Sequence, residues 1–310
     1  MVPQPTHQGG AGAVRGLLLS LRPGQWVKNL ACGAGLVFSG KLFHPDAALA
    51  AMLAVLGFCL GASAIYLIND LFDRPLDRRH PTKRSRPIAS GEVSTRLAVA
   101  AAVALAAAAI ASSLLLPRLC TILLVFYLAL GWLYSWRFKH TVILDVLIIA
   151  LGFVLRVLYG VYAVQVLPSS WIVLCMFALA LFLGFAKRRG ELQRTPTESD
   201  GRQHRRPVLR KYELAFLNQM LGVTATMAIL CYSLYTVTAR PGNPTLVLTV
   251  PIVVYGVFRV MFLVMIHGLG ETPETELIGE PVSLAIVALW VLSCVVILYG
   301  DIHLFLELKP

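Results

Sequence analysis

Long apolar runs recur along this chain at about 29–43, 47–68, 97–116, 119–136, 142–162, 168–186, 214–236, 245–266 and 282–300, each closed by a charge, a proline or a glycine. Most approach the roughly 20 residues that an α-helix needs to cross a hydrocarbon layer about 30 Å thick. The pattern therefore predicts an all-α integral membrane protein with about nine transmembrane helices. The first run is short and glycine-rich, which predicts a tilted or partly interfacial segment. Strands are disfavoured, because an open strand leaves backbone groups unpaired in lipid and a barrel needs an alternation of apolar and polar positions.

Composition agrees. Apolar residues make up 57% of the chain, charged residues only 14%, and the mean hydropathy is +0.74, whereas about a quarter of residues are charged in soluble domains. Nine spans and their loops fill the 310 residues, so residues 1–310 are read as a single domain. Cys32, Cys59, Cys120, Cys175, Cys231 and Cys294 stand singly in apolar stretches, without CxxC spacing, and read as small buried hydrophobes. The N-terminus lacks the short apolar run and small-residue cleavage site of a removable signal peptide, so the first spans are expected to direct insertion.

The net charge of +11 lies in loops beside apolar spans, not in a groove interleaved with aromatics, which argues against a nucleic-acid partner. Its distribution sets the orientation. The N-terminus and the loops after alternate helices hold 21 Lys and Arg, and the opposite side holds 4, namely Lys41, Arg118, Arg240 and Lys309. The positive-inside rule puts the rich side in the cytosol of a cell (inner or plasma) membrane. Residues 1–28 are then a cytosolic N-terminal segment, 69–96 and 187–213 the main cytosolic loops, and the C-terminus lies on the far side.

The second helix ends in Asn69-Asp70-x-x-Asp73-x-x-x-Asp77, which places three carboxylates at i, i+3 and i+7 on one helical face. Like charges at such spacing repel unless cations hold them, and hard oxygen donors suit Mg2+ completed by water and phosphate oxygens. Pro75 threatens to end the helix before Asp77. A solvated helix end balanced by Arg74, Arg78 and Arg79 is the plain alternative. The next segment, Arg78 to Gly91, carries His80, Lys83, Arg84 and Arg86, a cation cluster suited to sharing the charge of a diphosphate.

Further candidates stand on the same side. Arg22-Pro-Gly-Gln25-Trp26-Val-Lys28-Asn29 reads equally as an interfacial anchor or a lipid-phosphate site. Tyr134 to His140, with Lys139, leads into a helix bearing Asp145 and Arg156. Each intramembrane charge costs about 2.5–3.5 kcal/mol, which directs both residues to the bundle interior or a wet cavity as an active-site lining. Their separation puts them on one face but too far apart to pair. Arg259 invites a weaker form of the same argument. Lys187, Arg188 and Glu191 end the sixth helix, with Lys187 and Glu191 spaced as an i, i+4 pair. The loop 267–281, with Glu271, Glu274, Glu276 and Glu280, is acidic and is expected to meet the basic loops or a metal.

These motifs resemble the UbiA superfamily of membrane prenyltransferases over nearly the whole chain. The resemblance rests on NDxxDxxxD at the end of helix two, the following RPxxSG, the segment from Arg22 to Asn29, His80-Pro-x-Lys83-Arg84-x-Arg86-Pro87, Tyr134-Ser135 with Lys139-His140 and Asp145, the run Gly152 to Arg156, and Lys187-Arg188 with Glu191. Within the superfamily the chain most resembles the decaprenyl-phosphate phosphoribosyltransferase branch. Prenyl-transferring members carry a second aspartate motif after helix six, and here that place is basic. The resemblance implies a UbiA-like bundle with a cytosolic-side active-site cavity. It also implies Mg2+-dependent transfer of phosphoribose from phosphoribosyl diphosphate to a polyprenyl (decaprenyl) phosphate, for cell-wall precursor synthesis. Asp70, Asp73 and Asp77 would be the catalytic and metal-binding residues. Gln25, Lys28, Asn69, Lys83, Arg86, Tyr134, Lys139, Asp145, Arg156, Lys187, Arg188 and Glu191 would bind substrate. The implied partners are these two substrates and membrane lipid, with self-association left open. The alternatives are prenyl transfer to an aromatic acceptor and a non-enzymatic lipid or anion transporter.

Overall fold

The computed structural model describes residues 10–194, 207–238, 244–269 and 279–300, and all regular structure among them is helical. Eight helices or helical stretches are long and apolar enough to cross a membrane. They are α3 (Pro45–Asp77), α5 (Thr95–Ser113), α6 (Arg118–Trp136), α7 (Leu144–Ala163), α8 (Ser170–Arg194), α9 (Leu214–Thr238), α10 (Val250–Ile266, entered through a 3-10 turn at Pro244–Thr249) and α11 (Pro281–Tyr299). Shorter pieces are α1 (Gly10–Ser20), α2 (Ala34–Phe38) and α4 (Pro87–Ser90).

The expected first helix over 29–43 is absent. Its place is taken by a 3-10 helix, Pro23–Gly33, continued by α2. At about 2.0 Å per 3-10 residue and 1.5 Å per α residue these pieces span roughly 30 Å, enough to cross. The chain does run from one end of the bundle to the other here. Arg22 meets Asp70 near the end of α3, whereas Lys41 donates to the Val164 carbonyl just past the opposite end of α7 and Leu42 N–H donates to the Tyr299 hydroxyl. The glycine content explains the choice: Gly35 approaches the Val161 backbone so closely that a Cβ would sit 2.7 Å from its Cα, and a Cβ on Gly160 would lie 1.8 Å from the Cys32 carbonyl oxygen. The segment is therefore a tightly inlaid strip between α3 and α7.

α3 has 33 residues, about 50 Å at 1.5 Å per residue, so its last turns project past a hydrocarbon layer. It continues through Pro75 to Asp77, contrary to the expected break, because proline near a helix end forfeits only the bond to the Leu71 carbonyl. Buried packing forms two main halves. Phe58, Leu124 and Tyr159 join α3, α6 and α7, and Val146, Phe182, Leu217 and Leu221 join α7, α8 and α9. The alternation of crossings puts the end of α3, the 78–94 connection, the 137–143 turn and the end of α8 together at one end of the bundle, the site end.

Candidate functional site

Asp70, Asp73 and Asp77 are only 4%, 8% and 5% exposed although they stand near the end of α3. Each is held by a cation from elsewhere in the chain. Arg22 Nη2 donates to Asp70 Oδ1 at 2.5 Å, and Lys139 Nζ donates to Asp73 Oδ1 at 2.6 Å. Arg86 Nη1 reaches both Asp77 Oδ2, at 2.8 Å, and Asp70 Oδ1, at 3.4 Å. Asn69 Nδ2 completes the row on Asp73 Oδ2 at 3.0 Å. The carboxylate face predicted from spacing is thus a real, inward-facing surface and not a solvated helix end.

Local structure delivers each cation. Arg22 has a left-handed backbone, φ 54° and ψ 60°, and turns the chain from α1 into the 3-10 helix while its guanidinium lies 5.2 Å from the Tyr66 ring centroid. Arg86 precedes Pro87 at the start of α4, and Gly91, at φ 93°, turns the chain out again. Arg78 Nε donates to the Ala89 carbonyl and ties this connection back to α3. Lys139 sits buried in the 3-10 turn Phe138–His140, with its ammonium 5.9 Å from the Phe72 ring centroid. Lys83 and Lys187 are half-buried at the same end, and Gln25 and Lys28 line the 3-10 helix that descends from Arg22.

A second cluster adjoins the first but is closed upon itself. Arg188, 1% exposed, donates through Nε to Asp145 Oδ2 and through Nη1 to Glu191 Oε2, both at 2.6 Å, while Nη2 reaches the Tyr134 hydroxyl at 3.4 Å. Asp145 is fully buried and also accepts from the Tyr212 hydroxyl at 2.8 Å. Burial pushes the Tyr212 hydroxyl up, which keeps it protonated and able to donate. Ile143, a β-branched residue at φ 68°, is held by its N–H on the same hydroxyl at 2.7 Å. Asp145, Arg188, Glu191 and Tyr134 therefore lock α6, α7 and α8 together. At the end of α8, Glu191 pairs with Arg188 three residues before it.

Arg156 lies elsewhere. It packs against Phe58, about 18 Å along α3 from Asp70 at 1.5 Å per residue. Its guanidinium donates to Asn29 Oδ1 (2.8 Å), the Gly152 carbonyl (2.8 Å) and the Tyr127 hydroxyl (3.0 Å), and the Phe58, Tyr127 and Phe153 rings surround it at 5.0–5.1 Å. The structure thus does not bring Arg156 to the carboxylates. It fastens the 3-10 helix to α6 and α7, and Asn29 extends the tie to Cys59. Arg259 is a clamp as well, bonding Glu280 at 2.8 Å, and Glu280 caps α11 through Ser283 N–H. Glu271, Glu274 and Glu276 lie outside the described residues.

Two cations at this end have partners that the sequence does not announce. Arg22, which the sequence leaves open between a headgroup anchor and a lipid-phosphate contact, pairs with Asp70. Arg189 is buried and donates to the Val264 and Met265 carbonyls at the end of α10, so a cation from one helix satisfies the last turn of another.

The UbiA prenyltransferase family profile matches residues 30–268, more than half of the chain. The chain belongs to the UbiA prenyltransferase family. Among its relatives, the decaprenyl-phosphate phosphoribosyltransferase of Mycolicibacterium smegmatis is 33% identical over 91% of this chain and 90% of its own length. The Corynebacterium glutamicum protein of the same name is 36% identical over 71% and 67%. In three dimensions, a UbiA homologue from Archaeoglobus fulgidus bound to DMAPP and Mg2+ superposes with a TM-score of 0.71 at 20% identity, over 92% of this chain and 99% of the other. The UbiA family fold and its multi-pass membrane character follow.

Proposed function

We propose that the chain transfers 5-phosphoribose from phosphoribosyl diphosphate to a polyprenyl phosphate, as the names of its relatives indicate, in a site at the cytosolic end of the bundle. One observation carries the reading: a row of buried carboxylates on α3 is met by Arg22, Arg86 and Lys139, and the end of α8 at the same end of the bundle is basic, with Lys187, Arg188 and Arg189 where a second aspartate motif would stand. An asymmetric site of this kind suits a sugar diphosphate with a separate 5-phosphate. The excess of Lys and Arg at this end supports its cytosolic placement in a cell membrane.

The donor set fits Mg2+. Asp70 and Asp77 converge on one Arg86 nitrogen, so one positive centre is shared by both. Among the described residues no three His, Cys, Asp or Glu form a closed cage, and Mg2+ prefers one or two carboxylates, with water and phosphate oxygens completing its shell. Asp70 and Asp77 would hold it, with Asp73 and Asn69 alongside. Bound there, Mg2+ would neutralise charge on the departing diphosphate.

In the reaction a phosphate oxygen of the lipid forms a bond to the anomeric carbon as the bond from that carbon to the diphosphate oxygen breaks. The nucleophile is already anionic and needs no strong base. The residues' work is to position two anions and to stabilise the diphosphate as it gathers charge. Arg86, Lys83 and Lys187 are assigned to donor phosphates, and Gln25 and Lys28, on the 3-10 strip, to the lipid phosphate. Lys139 fixes Asp73. Arg188, Asp145, Glu191 and Tyr134 form the wall that holds this geometry, and Arg156 holds the strip.

The test is transfer of labelled phosphoribose to polyprenyl phosphate by purified enzyme in nanodiscs. Loss of about 10²–10³-fold is expected for Asp73→Asn, the scale for removing one preorganised electrostatic group. Exclusive transfer of a prenyl chain from a prenyl diphosphate to an aromatic acceptor would refute the reading, as would intact turnover in Asp73→Asn with loss of flux across liposomes.

A further inference from the structure

The row of carboxylates and its cations are not equally fixed. Asp70 and Asp77 have side chains 5% and 7% exposed and are built into α3, whereas their partners Arg22 and Arg86 are 30% and 27% exposed. The Lys139–Asp73 pair differs, with both side chains close to buried, at 9% and 11%. The backbone of Arg22 is pinned on both sides, its N–H donating to the Leu19 carbonyl and its carbonyl accepting from Gln25 N–H. Any motion of its guanidinium is therefore a side-chain rotation from a fixed base. In their present positions Arg22, Arg86 and Lys139 reduce the formal charge of Asp70, Asp73 and Asp77 to zero. Carboxylates paired in this way hold a lone divalent cation weakly, and Arg22 and Arg86 engaged by them add little to the binding of a lone diphosphate.

We infer that Arg22 and Arg86 are exchangeable counter-ions: each holds its carboxylate while the site is empty and passes to a phosphate of the donor when a divalent cation takes the carboxylates. The inference rests on the proposed metal-diphosphate site and adds Arg22 to its phosphate-binding residues. Two charges change partners together, so metal and diphosphate each favour the other's binding, and the coupling is reciprocal. Lys139, buried with Asp73, remains where it is and keeps the third carboxylate in place. Arginine suits the exchange because its planar fork matches carboxylate and phosphate oxygens alike.

The experiment uses the full chain in nanodiscs and isothermal titration with Mg2+ alone, with inorganic diphosphate in chelator, and with diphosphate in saturating Mg2+. In Arg22→Gln, Mg2+ alone should bind more tightly. Diphosphate should lose about tenfold in affinity with Mg2+ present, a coupling of ordinary size, and show almost no loss in chelator, where Arg22 is engaged by Asp70 in the parent protein. Association of Mg2+ with diphosphate in solution is common to both proteins and cancels in the comparison. An equal loss with and without metal would mean that Arg22 is a fixed phosphate contact, and a weaker affinity for Mg2+ alone would mean that it props Asp70; either result overturns the exchange. Arg86→Gln repeats the test on Asp77 should Arg22→Gln fail to assemble. Labelled phosphoribose transfer in the same preparations separates the two readings. Transfer without metal-dependent loss sinks the exchange alone, and the expected binding pattern without transfer sinks the proposed reaction alone.

Discussion

Replacing Arg188 by Met asks whether the end of α8 binds phosphate or holds the bundle together. In the structure its guanidinium, 1% exposed, meets Asp145 and Glu191 at 2.6 Å each. Methionine fills much of the same volume but leaves two carboxylates without their cation, one of them wholly buried. Tyr212 would still donate to Asp145, so the loss is that of an ion pair broken from one side, about 3–5 kcal/mol. At about 2–4 °C per kcal/mol the midpoint should fall by about 6–20 °C. Thermal unfolding followed by tryptophan fluorescence in detergent measures this. The triple variant Arg188→Met, Asp145→Asn, Glu191→Gln removes all three charges together and should recover most of the loss, because no buried charge is left unpaired. A normal midpoint for Arg188→Met, accompanied by a large rise in KM for phosphoribosyl diphosphate, would refute this account and return Arg188 to the substrate.

Two other outcomes are expected. Gly160→Ala should destabilise the protein by about 1–3 kcal/mol or prevent its accumulation, since its Cβ would meet the Cys32 carbonyl at 1.8 Å; normal yield and melting would show that the 3-10 strip is not seated against α7 as described. The Glu280 carboxyl is held at about 2 by its hydrogen bond from Ser283 and next by Arg259, against an ordinary 4.5. A depressed value in the folded state means that this contact stabilises in full above pH 4.5 and fades as pH falls toward 2. The melting temperature of Glu280→Gln should accordingly vary less than that of the parent across this window, and parallel decline of the two proteins would exclude the contact as a source of acid sensitivity.

The membrane-embedded helical architecture, the end of the bundle at which polar chemistry gathers, and the common face of Asp70, Asp73 and Asp77 are legible in the order of residues alone. These are local properties, since hydrophobic run length sets a span and the 3.6-residue period sets a face. The partners of these charges are set by how the helices pack. Arg22 and Asp70 are 48 residues apart, Lys139 and Asp73 are 66, and Arg188 and Asp145 are 43. No periodicity reaches across such distances, because the pairings follow from which helices pack and at what height. The same limit hid the form of the first crossing, whose glycines signal an irregular segment but not the approach to α7 that makes a 3-10 strip fit. It also left the protein partners of Arg156 and Arg188 unread, since a charge within a span announces a polar partner without naming the helix that supplies it.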